Sequence, residues 1–156
     1  DVPSKAEVLI ILEWDDEFAD DVDLWVQRDN DRPVGFSNKV GAPLHLDRDD
    51  LGWSNDRVVV DGQVKIIRTN IETMTIRGNA PGSYYVSVHF YNQVNKIVNY
   101  KVTVMKVNPF KQVYSITGKL DSMREEQRLP AFTLDKENMV SDVFNHTRSI
   151  VMRGGG

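Results

Sequence analysis

"GSYYVSVHFYNQVNKIVNYKVTVMKVN", residues 82–108, decides the fold. Its side chains alternate: Tyr84, Val86, Val88 and Phe90 fall on one side, and Tyr85, Ser87, His89 and Tyr91 on the other. A strand turns successive side chains to opposite faces, whereas a helix groups positions three and four apart, so the stretch reads as β. Turn formers at 91–96 interrupt the alternation, and Val98, Tyr100, Val102 and Val104 resume it. The two runs are therefore expected to pair as a β-hairpin with its tip at 91–96.

Working outward, the same period and the same Val, Ile, Thr and Tyr enrichment predict strands at 6–14, 21–27, 33–37, 56–60, 63–69, 72–77 and 111–120. No window of ten or more residues carries an apolar stripe at helical spacing bounded by caps. The expected class is all-β, an antiparallel β-sandwich of Ig-like or jelly-roll-like type spanning residues 1–120. Val22, Leu24, Val26, Val86, Val88 and Phe90 are expected to share its core. Past Thr117 the alternation loosens, so 121–156 is expected to be an irregular C-terminal extension ending in a Gly tail. Pro130 cannot donate to a ladder and suits only an edge there, and 141–152 reads equally as a short helix or a last strand. Deleting the extension is expected to leave a folded core.

A chain of 156 residues with 40% apolar content can bury one sizeable core without staples. Its net charge of −4 and the absence of any basic stripe argue against nucleic acid as a partner. The longest apolar run, Val8 to Leu12, is far too short to insert into a bilayer. With no cysteine, any metal must be held by oxygen or imidazole.

Oxygen is abundant in two places. Asp21 and Asp23 sit on one face of an expected strand, opposite Val22, Leu24 and Val26, and Asp47, Asp49 and Asp50 cluster before Gly52. Glu72 opens the strand at 72–77. Two readings follow. In one, these groups cap backbone N–H donors in turns and keep strand edges soluble. In the other, they converge at one end of the sandwich to hold a hard cation, Ca²⁺, which favours six to eight oxygen ligands. The spacing does not match the helix–loop–helix calcium motif.

At these residues a resemblance emerges. "DVDLWV" (21–26), "VGFSNK" (34–39), "LDRDDLG" (46–52) and "APGSYYVSVHFY" (80–91) resemble the YfaP-like family of bacterial domains over about residues 18–107. The segment 41–50 keeps that family's Leu-Asp-x-Asp core without its double glycine, and "NIET" (70–73) keeps only the glutamate of its Pro-Glu-Asn turn. The resemblance implies a β-sandwich of secreted or surface proteins without an assigned reaction. More loosely, the chain is similar to the small sandwiches that decorate phage virions.

A search for catalysis finds little. His45, His89 and His146 fall in no zinc-ligand spacing, and no serine sits in a nucleophile elbow. Trp25 and Trp53, with Trp14, are candidate ligand-binding aromatics for a glycan, although tryptophan more often packs in a core or at its rim. The expected function is a non-catalytic structural or binding module of an extracytoplasmic protein (periplasmic, secreted or cell-surface) or a phage virion, working through protein partners or self-assembly. The alternatives are a glycan-binding accessory domain and a small carboxylate-based hydrolase.

Overall fold

The computed structural model describes residues 5–15, 19–48, 56–60, 62–67 and 70–152. Twelve strands run through them: β1 (Ala6–Trp14), β2 (Asp21–Arg28), β3 (Val40–Gly41), β4 (Leu44–Arg48), β5 (Asp56–Val60), β6 (Gln63–Ile67), β7 (Ile71–Arg77), β8 (Gly82–Asn92), β9 (Val98–Lys106), β10 (Lys111–Leu120), β11 (Glu126–Leu134) and β12 (Val140–Phe144). Among the described residues there is no helix, so none is long and apolar enough to cross a membrane. The expected all-β antiparallel sandwich is the observed fold. A six-stranded sheet in the order β10-β9-β1-β7-β4-β3 packs on a four-stranded sheet in the order β12-β11-β8-β2, and β5 and β6 pair separately.

Alternation becomes burial. Val8, Ile10, Leu12 and Trp14 of β1 face inward with Met74 and Ile76 of β7 and Val98, Val102 and Val104 of β9. From the opposite sheet they meet Val22, Leu24 and Val26 of β2 and Tyr84, Val86, Val88 and Phe90 of β8, all fully buried. Buried phenols keep partners, as low-dielectric packing demands: Tyr84 donates to Ala80 O (2.7 Å), Tyr100 to Gln127 Oε1 (2.6 Å) and Tyr114 to Pro130 O (2.8 Å). Burial pushes the Tyr84 and Tyr100 phenols up to about 12 and that of Tyr114 higher still.

Three expectations are corrected. The stretch 82–108 is not a hairpin: β8 pairs with β2 and β11, β9 pairs with β1 and β10, and 93–97 crosses from one sheet to the other. Alternation fits either arrangement, since both strands have an apolar face. The crossing is held by Asp20, whose carboxylate accepts from Val94 N, Asn95 N and Asn95 Nδ2, supplying the loop's donors with acceptors that a tight turn would have provided.

The segment from 121 onward is not an irregular extension. β11 is an interior strand between β8 and β12, and it contributes Leu129, Phe132 and Leu134 to the core. Pro130 is tolerated because the β11–β8 register shifts between Leu129 and Phe132, a break in the ladder that asks for no N–H. Deleting this segment should therefore unfold the sandwich. Among the described residues from 121 onward, only the turns at 121–125 and 135–139 and the run 145–152 lie outside β11 and β12, and none of them is helical, so the helix reading of 141–152 also falls. Finally, 33–37 is a loop rather than a strand, tied by isolated bridges from Val34 to Val26 and from Gly35 to Asn38, while β3 and β4 form in the 40–48 stretch.

Candidate metal centre

β2 is the edge of its sheet, and the chain blocks that edge twice. Val34 pairs with Val26 through both backbone bonds (Val26 N to Val34 O 3.0 Å, Val34 N to Val26 O 2.8 Å). Two residues away, Leu24 N donates to Glu72 Oε1 at 3.0 Å. Glu72 heads the inward row of β7 that continues with Met74 and Ile76, so its carboxylate leaves one sheet and reaches the edge of the other. An inward charge at an edge discourages further strand pairing.

Asp21 and Asp23 meet it there. One carboxylate oxygen from each of Asp21, Asp23 and Glu72 lies within 4.8 Å of the other two. Asp23 and Glu72 are buried, and Asp21 stands at the strand's half-buried entrance, where the β2–β8 register shifts between Asp21 and Val22. Three oxygen donors of this kind, from two packed sheets, match the chemistry of a hard divalent cation. They do not suit a soft metal, which prefers sulfur or imidazole.

The remaining expected ligands divide. Asp47 is not part of the cluster. The β4–β7 register shifts between Leu46 and Arg48, and Asp47 turns to the outside, where it binds Arg77 Nη2 at 2.6 Å and lies 2.8 Å from His45 Nδ1. Asp49, Asp50 and Trp53 lie outside the described residues. Trp25 is not available to a ligand from solvent: it is fully buried, Gly35 lies on its ring, and Phe36 meets it edge-on with centroids 6.3 Å apart. Trp14 is buried too, donating through Nε1 to Asp20 O at 2.9 Å.

Trp25 belongs to a buried row on the outer face of the four-stranded sheet. Asp23 stands across from His89 and Trp25 across from Ser87. The trio Asp23, His89 and Ser87 has the residue types of a hydrolytic triad, but Ser87 Oγ makes no hydrogen bond among the described residues. The nucleophile–base bond that defines such a triad is not made.

Asp20 is the site-shaping residue that sequence reasoning missed. It precedes the quoted strand and looks like another turn aspartate, yet it is fully buried and ties the loop after β8 to the start of β2. The signal for Glu72 was present, since a carboxylate two positions before Met74 and four before Ile76 must share their inward face.

Comparison with known protein families, with curated proteins and with solved structures finds no match to this chain.

Proposed function

We propose that the chain is a non-catalytic structural or binding module of an extracytoplasmic protein or virion, stabilised by Ca²⁺ held at the β2 edge by Asp21, Asp23 and Glu72. The observation that carries the reading is the convergence of these three carboxylates within 4.8 Å. Calcium sites of about 10⁻⁴–10⁻³ M affinity belong to extracellular modules, where the ion is abundant enough to fill them. The resemblance to the YfaP-like family points to the same setting. Assembly with protein partners or other copies fits the apolar side chains at the two ends of β9: Val94 and Ile97 before it, Phe110 after it, the last 72% exposed.

The test is thermal unfolding in millimolar Ca²⁺ and in chelator. A hundredfold excess over Kd adds about 2.7 kcal/mol, which raises the midpoint of a domain this size by roughly 5–10 °C. Asp23→Asn and Glu72→Gln should each blunt the rise. Glu72→Gln is the sharper variant, because its amide oxygen still accepts from Leu24 N while the charge is gone. A midpoint that does not move between the two buffers would mean that a basic side chain of the protein, not a metal, balances the carboxylates.

A second reading, binding of a polar ligand such as a glycan, is favoured by a depression of about 690 Å³ at one end of the six-stranded sheet, walled by Glu13, Asp15, Asn99, Lys101, Thr117 and Lys119. Saturation-transfer NMR against a glycan panel checks it.

A further inference from the structure

After β12 the chain runs on without a ladder, yet its side chains still alternate. Phe144, His146 and Arg148 are half-buried and Ile150 is buried, while Asn145, Thr147 and Ser149 are exposed. The segment crosses the four-stranded sheet and is tied to three of its strands. On β11, Arg128 Nε donates to Arg148 O (2.9 Å), and Glu126 accepts from Ser149 Oγ (2.7 Å) and Ile150 N (3.0 Å). At β8, the Arg148 guanidinium lies 3.7 Å from the centroid of the Tyr85 ring, and the His146 ring meets Tyr85 edge-on at 5.1 Å. By way of β2, Arg148 Nη1 donates to Gln27 Oε1 (3.2 Å) and, just beyond the strand, to Asp29 O.

His146 is the pin of this segment, and its two ring nitrogens face opposite requirements. Nε2 lies 3.0 Å from Val86 O, which can only accept, so Nε2 carries the proton. Nδ1 lies 3.1 Å from Arg148 N, which can only donate, so Nδ1 carries the lone pair. Both bonds exist only for the neutral Nε2–H tautomer. A proton on Nδ1 would set N–H against N–H and add a charge where two guanidinium groups already stand.

We propose that residues 145–152 are a pH-gated strap over the outer face of the four-stranded sheet, latched by neutral His146 and released when that imidazole is protonated. The charged and titratable groups around the ring are Arg128 and Glu126 from β11, Arg148 from the strap and Tyr85 from β8. Glu126 opposes release, but its two oxygens already accept from Ser149 and Ile150. Burial lowers the His146 pKa below its ordinary 6.5; the Val86 carbonyl and Glu126 pull it up, and Arg128 and Arg148 push it further down. The sign follows. A group whose pKa is depressed in the closed state binds protons more readily once released, so closure is fully supported above about pH 6.5 and is lost as pH falls through the lower closed value. Release uncovers Tyr85 and the seat of Ile150. The inference is independent of the metal reading, since none of its contacts involves Asp21, Asp23 or Glu72.

The experiment is hydrogen exchange on the full chain at pH 7.5 and pH 5.0, with times scaled for the intrinsic pH dependence of exchange. The Arg148 and Ile150 amides, which donate to His146 Nδ1 and Glu126, should lose protection several-fold at pH 5.0 while those of β9 keep theirs, and in His146→Gln, which does not titrate, the Ile150 amide should show no such loss. Equal protection of the strap at both pH values, or an identical acid loss in His146→Gln, overturns the proposal. Should that variant fail to fold, NMR of the unaltered protein decides. Imidazole nitrogen shifts must report the Nε2–H tautomer at pH 7.5, and the His146 titration must share its midpoint with strap opening; a different tautomer or separate midpoints overturn it equally.

Discussion

On the six-stranded sheet, Glu13, Lys101 and Thr117 stand side by side across β1, β9 and β10 and face solvent, the first two 3.5 Å apart and nearly half exposed. On the four-stranded sheet, the outward row of Asp23, Trp25, Ser87 and His89 is buried. Both rows come from strands with the same alternation. What differs is what returns to cover them: the 33–38 loop lays Gly35 and Phe36 on Trp25, and the strap at 145–152 crosses β8, whereas nothing comparable among the described residues crosses β9. Period 2 tells which residues share a face, but not whether a face meets solvent.

The contrast can be broken by mutation, and the largest expected effect is at its centre. Trp25→Ala should destabilise by about 3–5 kcal/mol, the cost of removing a large aromatic from a packed site, while Lys101→Ala on the other sheet should stay within about 0.5 kcal/mol. Urea denaturation measures both, and comparable losses would mean that the covered face packs no better than an open one. Gly35→Ala sharpens the point: its new Cβ would fall 2.3 Å from the Trp25 ring, so overpacking should cost about 1–3 kcal/mol even though the residue lies in a loop and not in a strand.

Asp20→Ala addresses the crossing between the sheets. Leaving the Val94 and Asn95 donors without their acceptor should cost about 1–3 kcal/mol, and exchange of those two amides should accelerate more than that of any β9 amide. If exchange rises evenly along both strands, Asp20 supports the domain generally and not the crossing. Small effects, as for Lys101→Ala, belong to the open face again. Asp47→Asn removes a partly exposed pair with Arg77 and should cost about 0–1 kcal/mol, less at high salt. A loss near that of Trp25→Ala would place Asp47 in a structural role its exposure does not support.

Much of this molecule is legible from local spacing. Val8, Ile10, Leu12 and Trp14, or Val86, Val88 and Phe90, must be buried together because strand geometry puts them on one side and water is costly for all of them. The class of fold follows, since apolar faces of period 2 need a second sheet to cover them. Asp21 and Asp23 were equally readable as a pair on one face. What spacing does not carry is where a strand goes after its turn and which strand lies beside it.

That is why the 82–108 stretch looked like a hairpin and is a crossing, why Pro130 looked like an edge residue and sits inside a sheet, and why Asp47 left the acidic group through a register shift in β4 while Glu72 joined it from the other sheet. Each outcome depends on partners far away in sequence: Asp20 for Val94 and Asn95, β8 and β12 for β11, Leu24 for Glu72. Alternation is a property of one strand and can be read from it. Sheet order, register and the cover over an outer face are free-energy differences between whole arrangements of strands that alternate alike, and only the assembled chain decides among them.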